Sequence, residues 1–397
     1  MDFLYRTKLY FYIDVTFSFI ERLTSVSGAG IAFLTGCLLL NSPLCAQSQS
    51  APLTAALEPI RAKYNLPALG GAIFTTDGLV EMAAVGVRKA GTTVPVTADD
   101  LWHLGSDTKM MTATLAGTFV AEKKLSWSDT VISFFPEISH QVPGTMLSVT
   151  LSQILRHEGG IDENFDWGAL AAKGGTLQEQ RLAAAKMALT QPAHAPGTSH
   201  YSNTDYVIVA AILEKISGKP WEQLIQERVF QPLGMHSVGF GGSGTVGLID
   251  QPWGHDSKGV PSPINGTAAD NPLVMAPAGC VHCSMSDWAK FLTDQLRGGS
   301  GMKALLPNDI YDAMQTAIDE HNAGYGWGIA DSPWAGGKML WHNGSNGTNY
   351  SICWLSPEKK VGFLVCTNAC NSLIGNATDD AMAVMLNRWQ TGSKAKP

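Results

Sequence analysis

Segments with strand character occur near the two ends of the chain and not in its middle. Close to the start, residues 70–76 and 79–87 flank the turn pair Asp77-Gly78, which is the pattern of a β-hairpin. Close to the end come three further apolar runs, at residues 338–343, 349–355 and 361–367. Strands at both ends with helices between them indicate one antiparallel sheet that is assembled from the two termini.

The middle of the chain has the periodicity of helices. The helices predicted there are 106–123, 148–157, 177–189, 204–217, 221–230 and 284–296. Two more, at 52–64 and 373–389, precede the first hairpin and follow the last strand. The prediction is therefore an α+β fold with flanking helices, in which an all-helical region of about residues 101–284 is inserted into an α/β part of about 50–100 and 285–390.

The composition is that of an ordinary globular chain. With 397 residues, of which 45% are apolar, it can bury a sizeable core. The net charge of −7 provides no basic surface for nucleic acid, which excludes that class of partner. We expect one domain over residues 47–390, with a cleft bordered by surface loops at 239–247 and 265–277, and a tail at 391–397.

The first 46 residues have the features of an export signal. No charged residue occurs between Arg22 and Glu58, and residues 28–40 are all apolar or small. This run is short for a membrane span, and residues 43–46 provide a cleavage site. The favoured prediction is a soluble exported protein, periplasmic or secreted. Because Cys37 ends a lipoprotein-like sequence, attachment to a membrane through this segment is one alternative, and a cytoplasmic protein is another.

Five of the seven cysteines follow this leader: Cys280, Cys283, Cys353, Cys366 and Cys370. An odd number of cysteines cannot all pair. The first two and the last two can be drawn as a four-thiolate zinc site. The spacing of the last two and the apolar neighbours instead favour buried thiols or one disulfide, so we expect no metal.

Ser106 and Lys109 stand at the start of a helix that is predicted to be buried all round, because residues 110–121 carry no charge. At a helix N-terminus the free N–H groups favour developing negative charge on a serine oxygen. A lysine three positions later shares the same face, and burial favours its neutral amine, which can act as a base. The alternative is an N-cap serine followed by a lysine that extends to solvent.

Tyr201 and Asn203 lie two residues apart, where a loop leads into the helix 204–217. From this junction both side chains can point into one cleft. The phenol can relay a proton if a nearby cation lowers its proton affinity, and the carboxamide offers a donor and an acceptor to a substrate amide or ester. The alternative is an asparagine helix cap beside a surface aromatic residue.

His342 lies at the end of the predicted strand 338–343 and is followed closely by Gly344. The histidine can supply positive charge or a hydrogen bond opposite the nucleophile, and the glycine lets the strand approach a substrate closely. The N–H of Ser345 would then join the N–H of Ser106 as an oxyanion hole. The alternative for His342 is a structural role within the strand.

In this order and context, the three stretches resemble the serine β-lactamase and penicillin-binding superfamily, whose motifs are Ser-x-x-Lys, Ser- or Tyr-x-Asn, and Lys-Thr-Gly or a His-containing variant. The Tyr and His forms are similar to class C β-lactamases, D-alanyl-D-alanine peptidases and related esterases. Framing segments such as LWHLGSDTKMMTA, LSQILRHEGGI and PGTSHYSNTDYVIVAAILEKISG also resemble this family. The likeness extends over about residues 52–390.

The resemblance implies a role for each of these residues. Ser106 is the nucleophile and Lys109 its base. Tyr201 relays a proton toward the leaving group and the deacylating water. Asn203 binds the substrate, and His342 is the counterpart of the third-motif lysine. The implied reaction is acyl transfer through a covalent acyl-enzyme, with no metal or organic cofactor.

Three positions depart from the family pattern. Asn343 stands where a threonine often contacts a β-lactam carboxylate, Asn349-Tyr350 replaces a Gly-aromatic pair, and residues 157–160 read HEGG instead of HTSG. The expected activity is hydrolysis of a small-molecule ester, amide or β-lactam, with esterase or β-lactamase-like activity favoured. The alternatives are a D-alanyl-D-alanine carboxypeptidase or other peptidase, and a non-catalytic relative that binds peptidoglycan or a protein partner.

Overall fold

The computed structural model describes residues 52–266, 269–318 and 321–394. The predicted leader, residues 1–46, lies outside them. The helices are α1 (Leu53–Lys63), α2 (Thr108–Ala121), α3 (Leu151–Leu155), α4 (Trp167–Ala172), α5 (Leu177–Thr190), α6 (Asn203–Ser217), α7 (Trp221–Ile225), α8 (Ala276–Gly279), α9 (Met285–Gly299), α10 (Asn308–Met314) and α11 (Ile374–Lys394). The strands are β1 (Ala68–Thr75), β2 (Gly78–Gly86), β3 (Leu101–His103), β4 (Gly239–Phe240), β5 (Val281–Ser284), β6 (Gly328–Ser332), β7 (Gly337–Ser345), β8 (Tyr350–Ser356) and β9 (Val361–Thr367).

The main sheet joins the two ends of the chain. Its six strands are antiparallel in the order β2-β1-β9-β8-β7-β6, and the connection between the ends is the pairing of β1 with β9, from Leu69 opposite Thr367 to Thr75 opposite Val361. The predicted α+β fold with an antiparallel sheet from both termini is confirmed. The edge strand β6 was missed, because its five residues are mostly half-buried and include a polar aspartate.

Helices cover both faces of this sheet. Every residue of β8 and β9 is buried, and the side chains of β9 alternate between the two faces. Phe363 packs in a cluster with residues of α1 and α11, whereas Leu364 packs with residues of α9 and the helical region. Burial on both faces explains why these strands read as continuous apolar runs rather than as alternating ones.

The predicted helical region contains a second, small sheet. Its order is β3-β5-β4, and β3 lies more than 100 residues before the other two strands in sequence. The prediction of a surface loop at 239–247 is therefore wrong at Gly239–Phe240, which form β4. Strands of two to four residues are too short for a periodic pattern, so the sequence offered no signal for them.

The helices differ from the prediction mainly in length. The helix predicted at 148–157 is confined to α3, where Thr150 caps the N-terminus by accepting the N–H of Gln153, and His157 with φ of 64° lies beyond its end. The last helix continues to Lys394, through part of the predicted tail. Over residues 52–266, 269–318 and 321–394, no helix is both long and apolar enough to cross a membrane.

Helix α2 is enclosed as predicted. Its first twelve residues, 108–119, are all buried. It packs against α6, α8 and α10, so that it runs through the centre of the helical region. Its N-terminus meets the end of β7 from the main sheet, through the turn that precedes it. This meeting point of the two parts of the domain contains the predicted site residues.

Candidate active site

Ser106 is the central residue of a 3-10 turn, Gly105–Asp107, that connects β3 to α2. The turn begins at Gly105 with φ of 51°, in the left-handed region that favours glycine. The hydroxyl of Thr108 donates to the carbonyl oxygen of Gly105 at 2.7 Å and so holds the end of the turn. The hydroxyl of Ser106 therefore stands at the start of an enclosed helix, one turn before Lys109.

Lys109 is fully buried, with 0% of its surface exposed. Its Nζ lies 3.0 Å from Ser106 Oγ, 2.7 Å from Asn203 Oδ1 and 2.8 Å from the carbonyl oxygen of Ala278. The last two oxygens can only accept hydrogen bonds. A neutral amine that donates its two protons to them keeps its lone pair for the proton of Ser106.

The electrostatic environment favours this neutral amine. Burial is the largest influence and lowers the pKa of Lys109 to about 7, although the carboxyl groups of Asp205, Glu163 and Asp107 act in the opposite direction. Near pH 7 a large fraction of the protein therefore has an unprotonated amine beside Ser106.

Asn203 is oriented by two residues that the sequence analysis missed. Its Nδ2 donates to Asn164 Oδ1 at 3.0 Å, and the same oxygen accepts the indole N–H of Trp167 at 3.0 Å. Because an indole nitrogen can only donate, the oxygen of Asn164 must face it, and the amide of Asn203 must in turn present Oδ1 to Lys109. Asn164 lies in a segment without periodicity, so no local pattern marked it.

Tyr201 contacts the other side of Ser106. Its hydroxyl lies 2.6 Å from Ser106 Oγ, and Lys109 Nζ is 4.7 Å from the centre of its ring. The ring also packs against His157 at a centroid distance of 4.7 Å, and His157 Nδ1 lies 2.9 Å from Asp205 Oδ2. Ser106 Oγ is thus placed between an amine and a phenol, while His157 packs behind the phenol.

His342 lies beside the turn Gly105–Asp107 and does not contact Ser106 directly. Its Nδ1 is 3.0 Å from Asp107 Oδ1, and the other carboxylate oxygen accepts the hydroxyl of Ser351 at 2.5 Å. Asp107 has no exposed surface. His342 Nε2 makes no hydrogen bond to any other residue that the structure describes. Asp107, which sequence reasoning missed, therefore orients the ring and leaves its second nitrogen available.

Gly344 and Ser345 bring the end of β7 into backbone contact with the turn Gly105–Asp107. A Cβ on Gly344 would lie 1.9 Å from the carbonyl oxygen of Leu104 and 2.6 Å from the nitrogen of Ser106, and a Cβ on Gly105 would lie 2.3 Å from the nitrogen of Ser345. Glycine is required at both positions, since no side chain fits between the two backbones. The N–H groups of Ser106 and Ser345 consequently lie close together.

Among the described cysteines, Cys370 contacts the site, where its Sγ accepts the hydroxyl of Ser345 at 3.3 Å. None of the five described cysteines forms a disulfide, and Cys280, Cys283, Cys353 and Cys366 are buried thiols. Burial raises the pKa of these four thiols well above the usual value. Within the described ranges, no three His, Cys, Asp or Glu side chains are grouped so as to hold a metal ion.

Comparisons with known proteins agree with this architecture. The family model described as Beta-lactamase matches residues 53–385. Penicillin-binding protein 4 of Amycolatopsis lactamdurans is 25% identical over 334 residues, covering 78% of this chain and 83% of that protein. A beta-lactamase of Pseudomonas fluorescens is 24% identical over 332 residues, covering 80% of this chain and 86% of that protein.

Two solved structures share the fold. The octameric penicillin-binding protein homologue from Pyrococcus abyssi superposes with a TM-score of 0.67 at 24% identity, covering 84% of this chain and 77% of the other. The D-alanine carboxypeptidase AmpC from Burkholderia cenocepacia gives a TM-score of 0.66 at 20% identity, covering 84% and 97% respectively. Because the family model spans most of the sequence, the chain belongs to the β-lactamase family.

Proposed function

We propose that the protein is a serine hydrolase that forms a covalent acyl-enzyme on Ser106, with an ester as the favoured substrate and an amide or a β-lactam as further candidates. The observation that carries this proposal is the position of Ser106 Oγ, 3.0 Å from the buried amine of Lys109 and 2.6 Å from the hydroxyl of Tyr201. A hydroxyl held between a base and a proton relay is the arrangement that nucleophilic catalysis requires.

In the acylation step, the neutral amine of Lys109 takes the proton of Ser106 as Oγ bonds to the substrate carbonyl carbon. The carbonyl electron pair moves to oxygen, where the N–H groups of Ser106 and Ser345 stabilise the negative charge. When the pair returns, the bond to the leaving group breaks. The leaving group takes a proton from the hydroxyl of Tyr201, and the Lys109 ammonium restores that proton.

Deacylation repeats these transfers with water as the nucleophile. The hydroxyl of Tyr201 passes its proton to the neutral amine of Lys109 and takes one from water, as the water oxygen bonds to the acyl carbon and the carbonyl electron pair moves to oxygen. When that pair returns, the bond from the acyl carbon to Ser106 Oγ breaks, and the Lys109 ammonium gives its proton to Oγ. His342, held by Asp107, contributes a hydrogen bond or a positive charge through Nε2. These steps use side chains and backbone groups of this chain alone and require no cofactor.

The surroundings of Asn343 favour an ester substrate. Its side-chain amide donates to the hydroxyl of Tyr350 at 2.7 Å. Asn343 replaces the threonine hydroxyl that often contacts the carboxylate of a β-lactam, and its amide is instead engaged by Tyr350. The names of the two curated relatives support a β-lactam as the second candidate, and the carboxypeptidase alternative shares the same chemistry.

A substrate panel tests this proposal. Purified protein is assayed with a p-nitrophenyl ester, nitrocefin and a D-Ala-D-Ala peptide, and kcat/KM is compared. We expect the ester to exceed the peptide by at least about tenfold, since Asn343 stands where a threonine hydroxyl would contact a substrate carboxylate. A peptide that is cleaved faster than the ester would contradict the substrate preference. The absence of any hydrolysis, together with no labelling by a fluorophosphonate, would contradict the proposed function.

The pH dependence follows from the state of Lys109. Because the base is the neutral amine and its pKa is lowered to about 7, kcat/KM for an uncharged ester should rise with pH below 7 and level off above it. The slope of log kcat/KM against pH should be about one on the rising side. A rate that falls as pH rises through 7 would instead make the charged ammonium the active form.

We also propose that the protein is exported, with residues 1–46 as its export signal. It is supported by the apolar run at residues 28–40 and the following small residues. Attachment to a membrane through the same segment is the alternative. The two are distinguished by whether the protein partitions into the membrane or the soluble fraction after cells are broken.

A further inference from the structure

His103 is a buried histidine three residues before Ser106, at the end of β3, and it has two hydrogen-bond partners. Its Nδ1 accepts the backbone N–H of Gly105 at 3.1 Å. Its Nε2 lies 2.6 Å from Asp270 Oδ2, and the side chain of Asp270 has no exposed surface. The ring therefore links Gly105, the residue before Ser106, to the carboxyl group of Asp270, which comes from a distant loop.

The partners determine which nitrogen carries the proton. A backbone N–H can only donate, so Nδ1 of His103 must present a lone pair to Gly105, and the proton must lie on Nε2, where it is donated to Asp270. Burial opposes ionisation of Asp270, but the contacts with His103 and Asn346 outweigh it and lower the pKa of the carboxyl group. The ionised carboxylate thus holds His103 in the one tautomer that can accept from Gly105.

The second oxygen of Asp270 connects to the other part of the site. Asn346 Nδ2 donates to Asp270 Oδ1 at 3.1 Å, and Asn346 Oδ1 accepts the backbone N–H groups of Thr348 and Asn349 at 3.1 and 2.9 Å. Asn346 directly follows Ser345. We call His103, Asp270 and Asn346 the buried bridge. At one end of it, His103 holds Gly105, the residue before Ser106. The other end is Asn346, the residue after Ser345.

We propose that the buried bridge is a positioning device for the hydrolytic reaction, which sets the distance and direction of the N–H groups of Ser106 and Ser345. This inference rests on the proposed function. Gly105 has no side chain and a φ of 51°, so its conformation must be held by its neighbours. Thr108 holds its carbonyl group and His103 holds its N–H group. A small displacement of an oxyanion-stabilising donor is sufficient to slow acyl transfer.

A matched pair of substitutions at His103 tests this inference. In His103→Asn, the Oδ1 atom takes the place of Nδ1 and still accepts from Gly105, while the contact with Asp270 is lost. In His103→Gln, the Nε2 atom still donates to Asp270, while the acceptor for Gly105 is lost. Each variant removes one buried hydrogen bond, so both should lose thermal stability, and His103→Asn should lose more, because it leaves the buried carboxylate of Asp270 without this donor.

The two variants should differ in catalysis. At a temperature where both are fully folded, we expect His103→Gln to lower kcat for the ester by about tenfold to a hundredfold. KM should change by less than about threefold, and His103→Asn, which keeps the acceptor for Gly105 but loses the contact with Asp270, should lower kcat by a factor at least about threefold smaller than His103→Gln does. Equal losses of kcat in the two variants, a larger loss in His103→Asn, or wild-type kcat in both would overturn the inference, because a merely stabilising role predicts that kcat follows thermal stability.

Hydrogen exchange gives a second readout that does not depend on activity. His103→Gln should accelerate amide exchange at Gly105, and Asp270→Asn should accelerate it both there and at residues 346–349, relative to wild-type protein. Unchanged exchange in these segments would show that the bridge does not hold them. If exchange responds as expected but wild-type protein hydrolyses no substrate, the proposed function fails and the structural part of the inference stands.

Discussion

Ser106→Ala protein is expected to hydrolyse its ester substrate at least about 10³-fold more slowly than the wild type, and to take up no fluorophosphonate label. The physical reason is that the substitution removes the atom that bonds to the substrate. Lys109 keeps its other two acceptors, Asn203 and the carbonyl oxygen of Ala278, so the surrounding network is preserved. The measurements are kcat/KM for the ester and the intact mass of the protein after incubation with the label.

Ser300→Ala is the matched control for this prediction. Ser300 begins another Ser-x-x-Lys sequence, Ser300 to Lys303, but its hydroxyl donates to the carbonyl oxygens of Leu296 and Pro357 at 2.7 and 2.9 Å. It lies at the end of α9, away from any buried amine, so this variant should keep wild-type activity and labelling. Undiminished labelling of Ser106→Ala would show that another residue is the nucleophile.

Lys109→Met and Lys109→Arg are both expected to lower kcat by about 10³-fold or more. Methionine has a similar length and is apolar, which suits the buried position of Lys109. It has no amine, however, to take the proton of Ser106. Arginine keeps the positive charge but does not lose a proton at any accessible pH, so it cannot serve as the base. Thermal unfolding should show that the variants are folded at the assay temperature, and pre-steady-state acylation rates should identify the impaired step.

The two lysine variants separate three roles for the residue. Activity in Lys109→Arg together with inactivity in Lys109→Met would mean that the site needs a charge rather than a base, and the proposed mechanism would be wrong. Unchanged ligand binding in both, with no hydrolysis in the wild type, would favour a non-catalytic relative that only binds through this cleft. Loss of hydrolysis in both variants, with binding retained, is the outcome that we expect.

The overall architecture could be predicted because its signals are local. The hairpin at the start is marked by its turn pair Asp77-Gly78, and β8 and β9 near the end have continuous apolar runs, which follow from burial on both faces of the sheet. The uncharged stretch of α2 predicts enclosure for the same reason, and residues 108–119 are buried. The spacing of Ser106 and Lys109 places the two side chains on one face of a helical turn, where the structure has them 3.0 Å apart.

Other parts of the site depend on contacts that no local pattern encodes. Asp107 directly follows Ser106 in sequence, but its role in orienting His342 requires β7 to lie beside the turn Gly105–Asp107. Asn164 became relevant only because Trp167 determines the orientation of its amide. The small sheet of β3, β4 and β5 was missed because each strand is short and its partners are distant in sequence.

The sequence by itself determined the class of fold and the order of its longer helices and strands, and it predicted Ser106 and Lys109 as nucleophile and base, because periodicity and short spacing act within one element. Only the tertiary structure decided which distant groups surround Ser106. Tyr201 lies 95 residues from Ser106 in sequence, and Asn203 lies 94 residues from Lys109, yet both pairs are joined by direct hydrogen bonds. The physical reason is that the site forms where the inserted helices pack against the sheet, and the burial that lowers the pKa of Lys109 exists only after that packing is complete.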